Sequence, residues 1–318
     1  MAAQSAMPGD VILLFSSFPY GFDEPLPLAV GPTIYLAWTP RDVLNAVDPP
    51  SLADLVLPGY HLPAIVPNCC LKSPITDIKP PGIDNSYLFF QSIAALRLHA
   101  PLAMKIAGQF EVGSQDELIK NPILYYLSSS YHPDIGARYS GEDIRRSKEI
   151  CDRIIYIGGS NYYRLNNALV LFSQVTSGFS KSFQMVYLSL FATLESIFVP
   201  KKPYAKTLAR RIANFLSHFE FPQPMNMEDW LEREYINGRS NLAHGVKDMI
   251  PLTGIRGANS TAFGRLHEIT RLCILGFLSI DDMELDSLSR LKSTQLQQKL
   301  DNLSPATGRF LEGQRMWF

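Results

Sequence analysis

The chain has 318 residues and a hydrophobic fraction of 46%, which is enough for one large or two ordinary domains with a buried core. Its formal net charge of -1 excludes a uniformly basic nucleic-acid-binding coat and a polybasic membrane anchor, so an anionic partner has to be met by a local patch. The four cysteines form no C-x-x-C pair and lie near no spaced histidine cluster, which argues against a zinc site and a disulfide framework.

The first apolar run of the chain, "VILLF", follows Asp10. A signal peptide carries Lys or Arg in that position, and the run is too short to span a bilayer. We therefore expect a cytoplasmic protein with no membrane contact, and a β-strand at this run.

The N-terminal part is rich in proline, with 14 of the 23 prolines in the first 82 residues. Because proline lacks a backbone donor and disfavours helix interiors, this part is predicted to consist of short strands and loops, with strands in "VILLFSSF", "TIYLAWTP" and "LADLVLPGY". From Asn85 onward, "NSYLFFQSIAALRL" has the spacing of a helix and "LAMKIAGQFEVG" alternates like a strand. These patterns predict a small α+β domain over residues 1–130.

The remainder of the chain is predicted to be helical. Ser140 is a suitable N-cap, and Glu142 and Asp143 place favourable charge in the first turn. The six helical patterns are "EDIRRSKEICDRIIYI", "NYYRLNNALVLFSQVTS", "SFQMVYLSLFATLESIF", "YAKTLARRIANFLSHF", "MEDWLEREYINGRSNLAHG" and "FGRLHEITRLCILGFLSI". A weaker pattern, "LDSLSRLKSTQLQQKL", follows them. The predicted class is α+β and mainly α, with a smaller Pro-rich N-terminal domain, a helical bundle over residues 138–290, and a C-terminal tail or helix over residues 291–318.

One carboxylate lies on the most apolar of these helices. Apolar positions surround most of the helix that carries Glu195, so this helix is predicted to be central and largely buried. Burying an unpaired carboxylate is unfavourable, so Glu195 is expected to have a partner, and a nearby arginine would supply it.

Three segments together resemble a known family. After "LSLFATLESIF" the chain has "LARRIANFL" and then "RSNLAHG", in which Arg239 and His244 are spaced as Arg-x4-His and are followed by Gly245. This order is similar to the HEPN superfamily, and within it to the Apea-like HEPN branch, over roughly residues 85–280. The resemblance implies a helical bundle that dimerises through the motif-bearing helices. Active members of the family are metal-independent endoribonucleases, whereas others bind RNA without cutting it.

The two motif residues suit metal-free RNA cleavage. A histidine can act as general base or acid near neutral pH, and a guanidinium binds phosphate oxygens with a planar fork, so His244 is the predicted acid–base residue and Arg239 the phosphate clamp. On a straight α-helix five residues separate the two side chains by about 140°. We therefore expect a composite site in a homodimer. Ser240 and Asn241 are predicted to bind phosphate or to orient His244.

A basic strip is predicted to hold the RNA. Five cations and no acid lie between Glu195 and Glu220, and the apolar residues among them mark the buried side of the same helix. The strip consists of Lys201, Lys202, Lys206, Arg210 and Arg211. The alternative interpretation is a solvated helix face without a ligand.

Structural roles are the alternatives for the two motif residues. A histidine beside a glycine at a helix end is an ordinary C-terminal arrangement, which His244 and Gly245 fit. Arg239 has three possible salt-bridge partners in the helical region, namely Glu195, Glu232 and Glu234.

Two further residues near these helices have simpler expected roles. Tyr235 precedes Arg239 by four residues and is expected to pack under it rather than to stack a base. His267, beside Glu268 on the last long helix, is expected to lie at the surface.

The resemblance to the HEPN superfamily thus implies a metal-independent, cofactor-free endoribonuclease that acts on RNA in antiviral defence or as a toxin, forms a homodimer, and has a trigger or a neutralising partner. Two other classes stay open. One is a non-catalytic HEPN dimerisation or RNA-binding module acting as an adaptor or sensor. The other is a small-molecule enzyme, which has little support because the chain has no G-x-x-x-x-G-K-[ST], G-x-G-x-x-G or G-x-S-x-G pattern.

Overall fold

The fold is given by a computed structural model. The residues it describes are 7–21, 23–40, 69–79, 84–101, 104–113, 118–120, 138–158, 162–176, 183–222, 225–243 and 258–317. The chain forms two compact units: unit 1 comprises Met1–Asp152 and Thr176–Phe179, and unit 2 comprises Arg153–Val175 and Ser180–Phe318. This division differs from the sequence-based limits at residues 130 and 138, because the helix that begins at Gly141 contributes residues to both units.

Unit 1 contains an antiparallel sheet. Its described strands are β1 Val11–Ser17, β2 Leu28–Gly31, β3 Ile34–Trp38, β4 Cys69–Ser73, β5 Lys105–Val112 and β6 Leu118–Lys120, in the order β2-β3-β4-β1-β5-β6. In the central strand β1, Ile12, Leu13 and Leu14 are fully buried, so both faces of the strand are covered. This burial explains why "VILLF" is a continuous apolar run.

Three predicted strands are confirmed: "VILLFSSF" contains β1, "TIYLAWTP" contains β3, and "LAMKIAGQFEVG" contains β5. The predicted strand "LADLVLPGY" lies outside the described residues. Strands β2, β4 and β6 were not predicted. β2 and β6 have four and three residues and are too short for a periodic pattern, and four of the five residues of β4 are buried, so its pattern does not alternate.

Two helices of unit 1 begin at well-formed caps. Helix α1, Asn85–His99, packs on β2 and β3, and the carboxylate of Asp84 accepts a hydrogen bond from its first turn. Helix α2, Gly141–Gly158, begins after Ser140, whose hydroxyl accepts from the Asp143 backbone N–H at 3.2 Å while the Asp143 carboxylate accepts from the Ser140 N–H at 2.8 Å. This reciprocal pair confirms the predicted cap.

The helices that follow build unit 2. They are α3 Tyr163–Thr176, α4 Phe183–Phe198, α5 Tyr204–Phe215, α6 Met227–Glu234, a π-helix Tyr235–Ser240, α7 Asn241–Ala243, α8 Ala258–Ser279, α9 Asp282–Arg290 and α10 Ser293–Asp301. Five of the six predicted helices are confirmed, although α5 ends earlier and α8 begins earlier than the apolar pattern indicated. The pattern over residues 227–245 forms α6, the π-helix and α7 instead of one helix, and its last two residues lie outside the described part of the chain. The weaker pattern after them forms two helices, because Leu291 and Lys292 have extended backbone angles.

Helices α4 and α8 pack together and supply much of the core of unit 2. Leu190, Phe191 and Leu194 on α4 are fully buried, which confirms the predicted burial of this helix. Phe198, at the end of α4, packs edge-on against Phe277 of α8, with 5.5 Å between the ring centroids.

The expected surface position of His267 is wrong. His267, Glu268 and Arg271 on α8 have no exposed side-chain surface. The Arg271 guanidinium donates to both carboxylate oxygens of Glu268, at 3.0 Å and 3.2 Å from Nε and 2.8 Å from Nη2, so the opposite charges are buried together. Apolar periodicity does not reveal such a pair, because each partner alone is a typical surface residue.

The C-terminal residues pack into unit 2. Phe310 and Leu311 are buried, and the Ala306 N–H donates to the Phe215 carbonyl at the end of α5, at 2.7 Å. Within the described part of the chain, no helix is both long enough and apolar enough to cross a membrane.

Candidate functional site

Helix α4 and the π-helix bring a carboxylate and a guanidinium together. The Nη2 atom of Arg239 lies 3.1 Å from Oε1 and 3.2 Å from Oε2 of Glu195. The contact predicted from the sequence is therefore present. Three carboxylates were possible partners of Arg239, and the one that pairs with it in the structure is Glu195, on the buried helix α4.

Tyr235 supports both members of this pair. Its hydroxyl donates to Oε1 of Glu195 at 2.7 Å, and its ring centroid lies 5.1 Å below the guanidinium carbon of Arg239. Burial and the bond to Glu195 raise the pKa of Tyr235 to about 12, so the phenol stays a neutral donor at physiological pH. The expected packing of Tyr235 under Arg239 is confirmed, and the guanidinium is held by a charge on one side and by a ring on another.

The site is open to a ligand. The side chains of Arg239 and Glu195 are 28% and 24% exposed, and no described residue accepts a hydrogen bond from Nε or Nη1 of Arg239. Because a guanidinium is planar and permanently charged, its remaining donors can bind two oxygens of one phosphate. The arrangement is chemically suited to holding an oxyanion.

Comparisons with protein-family models, curated proteins and solved structures found no match to this chain. The HEPN resemblance therefore stays a prediction that rests on the motif residues and their order along the chain.

A straight α-helix was predicted for the motif, but the structure has a different backbone conformation there. The backbone winds as a π-helix over Tyr235–Ser240 and returns to α-helix at Asn241–Ala243. A π-helix has i→i+5 hydrogen bonds and a wider turn than an α-helix, so the α-helical angle per residue does not apply to Arg239 and Ser240, the part of the motif that lies in the π-helix. Such segments occur often at functional sites.

The other predicted residues of the motif are only partly described. Ser240 is the last residue of the π-helix and is half-buried. Asn241 begins α7, but its side chain is outside the described part, as is the whole of His244. The predicted roles of these three residues stay predictions.

Gly238 is the residue of this region whose role the sequence did not reveal. It is buried against a hydrogen bond between α4 and α6, in which the Tyr187 hydroxyl donates to Oε1 of Glu234 at 2.5 Å. A Cβ atom at position 238 would clash with the Tyr187 oxygen and would lie 3.0 Å from Oε1 of Glu234. A glycine inside a helical pattern indicates that another group approaches the backbone closely, but the sequence does not identify that group as Tyr187 of α4.

Replacing Gly238 with alanine is expected to lower the free energy of unfolding by about 1–3 kcal/mol, because the methyl group displaces Tyr187. Urea unfolding followed by circular dichroism measures the loss. The matched background is Tyr187→Phe, which lacks the clashing oxygen. Gly238→Ala should cost clearly less in that background, and an equal cost in both backgrounds would show that the Tyr187 contact is not the cause.

The basic strip is not uniformly available to a ligand. Arg211 has no exposed side-chain surface, so its predicted RNA-binding role does not fit the fold. Lys201 and Arg210 are more exposed, but both pair with Asp301, at 3.0 Å and 2.6 Å. Lys202 and Lys206 are exposed and form no ion pair with a described residue. These two lysines are the part of the strip that presents free charge.

Covalent catalysis by a thiolate has no support. All four cysteines are free and buried, and burial raises the pKa of Cys69, Cys70 and Cys151 to about 12. Among the described residues, no group of three or more His, Cys, Asp or Glu side chains is arranged to hold a metal ion.

Proposed function

We propose that this protein is a metal-independent endoribonuclease of the HEPN type. The observation that supports the proposal is the partly exposed Arg239 guanidinium, which is oriented by Glu195 and Tyr235 and whose Nε and Nη1 donate to no described residue. It stands at the first position of the Arg-x4-His motif. An arginine held in this way is pre-organised for phosphate, because little orientational freedom is lost on binding.

In the proposed reaction the 2′-hydroxyl of RNA attacks the adjacent phosphorus and the 5′-oxygen leaves. Arg239 binds the non-bridging oxygens and offsets the charge that develops on them. His244 removes the proton of the 2′-hydroxyl or donates one to the leaving oxygen. Ser240 and Asn241 contact the phosphate or orient His244, and Lys202 and Lys206 attract the RNA backbone.

The proposed assembly is a homodimer formed through the motif-bearing helices, so that each site draws on two copies of Arg239 and His244. The proposed setting is cytoplasmic, in antiviral defence or as a toxin. Unit 1 is the proposed place at which a trigger or a neutralising partner acts.

A non-catalytic HEPN module is the second candidate function. The observation that favours it is the Glu195–Arg239 ion pair, which a purely structural arginine would also form. Such a module would dimerise or bind RNA through the same surface without cleaving the strand.

The decisive experiment incubates total RNA with the wild type, His244→Ala and a matched control in excess EDTA. The control is His218→Ala, which changes an exposed histidine beyond the end of α5. We expect the wild type and the control to produce fragments with 2′,3′-cyclic phosphate and 5′-hydroxyl ends, and His244→Ala to produce none. Equal fragments from all three proteins would contradict the role of His244. RNA binding without cleavage by the wild type would support the non-catalytic module.

A further inference from the structure

Unit 1 contains a buried guanidinium with unused donors. Arg97 lies in the last turn of α1 and is 2% exposed. Its Nη2 donates to the Met104 carbonyl at 3.2 Å, whereas no group among the described residues accepts a hydrogen bond from Nε or Nη1. Burial lowers the pKa of Arg97 to about 10, so the side chain still carries its charge at neutral pH.

The other two buried arginines in the described part of the chain are paired differently. All three nitrogens of Arg211 donate hydrogen bonds, and one of them reaches the carboxylate of Asp301. All three nitrogens of Arg271 also donate, and two of them reach the carboxylate of Glu268. Each of these two guanidinium groups thus bonds to a carboxylate and donates from every nitrogen, whereas Arg97 donates from one nitrogen to a described residue.

The polar groups close to Arg97 do not replace a counter-ion. The Tyr139 hydroxyl is a neutral group, and it donates to the carbonyls of Leu96 and Ala100, at 2.8 Å and 3.1 Å. The carbonyl end of α1 favours a cation, but it supplies only a partial charge. A buried cation without an anion is unfavourable, so a partner that neutralises Arg97 would stabilise the unit.

We propose that Arg97 anchors an oxyanion-binding site in unit 1, which takes the carboxylate or phosphate group of a small ligand. The unused Nε–H and Nη1–H groups lie in one plane with the Nη2 donors, and a carboxylate or phosphate pairs with such a planar set of donors. The site is independent of the ribonuclease proposed for unit 2.

Thermal unfolding in matched salts tests the site. The melting temperature is measured in sodium chloride, sodium phosphate and sodium acetate at equal ionic strength, for the wild type, Arg97→Met and Arg146→Met. Arg146 is an exposed arginine of α2, so Arg146→Met controls for the loss of one charge in the same unit. We expect phosphate or acetate to raise the melting temperature of the wild type and the control saturably, by about 2–4 °C. The anion that acts identifies the ligand group as phosphate or carboxylate.

Arg97→Met should lose this shift. In chloride it should melt at or above the temperature of the wild type, since an apolar side chain replaces an unpaired buried charge. An absence of any anion-specific shift in the wild type, or a shift that persists in Arg97→Met, would overturn the proposal. If Arg97→Met does not fold, Arg97→Lys keeps the charge without the planar fork. Its half-maximal anion concentration should then rise at least about tenfold, and an unchanged value would also overturn the site.

Discussion

Replacing Arg239 with lysine is expected to lower the cleavage rate by about 10²–10³ while leaving the protein folded. Lysine keeps the positive charge but loses the planar fork, the stacking on Tyr235 and the defined contact with Glu195. The ion pair is partly exposed, so its loss should cost about 1 kcal/mol or less of stability. Single-turnover cleavage of a defined RNA measures the rate, and thermal unfolding checks the fold.

Glu195→Gln tests whether the arginine needs its orienting charge. The amide keeps the shape of the side chain but not its charge, so we expect a smaller loss of activity, about 10-fold to 100-fold, with the proposed dimer intact. Glu220→Gln is the matched control, because Glu220 is exposed and remote along the chain from the motif. Wild-type activity in Glu195→Gln would remove the positioning role, whereas equal losses in both variants would point to a general effect of charge.

The largest expected effect on stability is that of Arg211→Ala, a loss of about 3–5 kcal/mol. The Arg211 guanidinium is fully buried and donates to the carboxylate of Asp301, to the carbonyls of Phe198 and Val199, and to Gln297. Removing it takes the Arg211 donor from the buried Phe198 carbonyl, and leaves the Asp301 carboxylate with Lys201 and Arg210 as its cationic partners. Urea unfolding of the variant and the wild type measures the difference.

The neighbouring residue supplies the control. Arg210 also bonds to Asp301, but its side chain is 43% exposed, so Arg210→Ala should cost about 1 kcal/mol or less. Burial by itself would raise the pKa of Asp301, but the bonds from Arg211 and Lys201 hold it well below its usual range. The stability that the ionised Asp301 carboxylate contributes is therefore present above its pKa in the unfolded chain, about 3.9. This stability is lost as the pH falls through the lower pKa of Asp301 in the folded protein. Equal losses in the two arginine variants would contradict the importance of burial.

Arg211 is also connected to the candidate site. Val199 follows α4 with a φ of 44°, which is a strained conformation for a β-branched residue. Its carbonyl accepts hydrogen bonds from Arg211 and from Gln297 of α10, and its N–H closes the turn that begins at the Glu195 carbonyl. We therefore expect Arg211→Ala to reduce activity as well as stability.

Some features of the candidate site follow from short sequence segments, and others follow from tertiary packing. The Arg-x4-His spacing and the buried helix that carries Glu195 are properties of short segments, so the motif and its carboxylate partner were predictable. The π-helix and the Tyr187–Glu234 bond were not. Both depend on how α4 packs against the following elements. Gly238 in the sequence indicates a close contact, but it does not indicate which residue makes that contact.

The sequence by itself determined the mainly helical class, the cap at Ser140 and the helix boundaries to within a few residues, because apolar periodicity and capping act over a few neighbouring positions. Only the tertiary structure decided which charged residues are inside. Arg211 and Glu268 belong to residue types that are usually exposed. The burial of Arg211 depends on Asp301 and Gln297, which lie far away in the chain, and the burial of Glu268 depends on the opposite charge of Arg271. Charge burial depends on the arrangement of all neighbouring groups, and a short sequence pattern contains only a few of them.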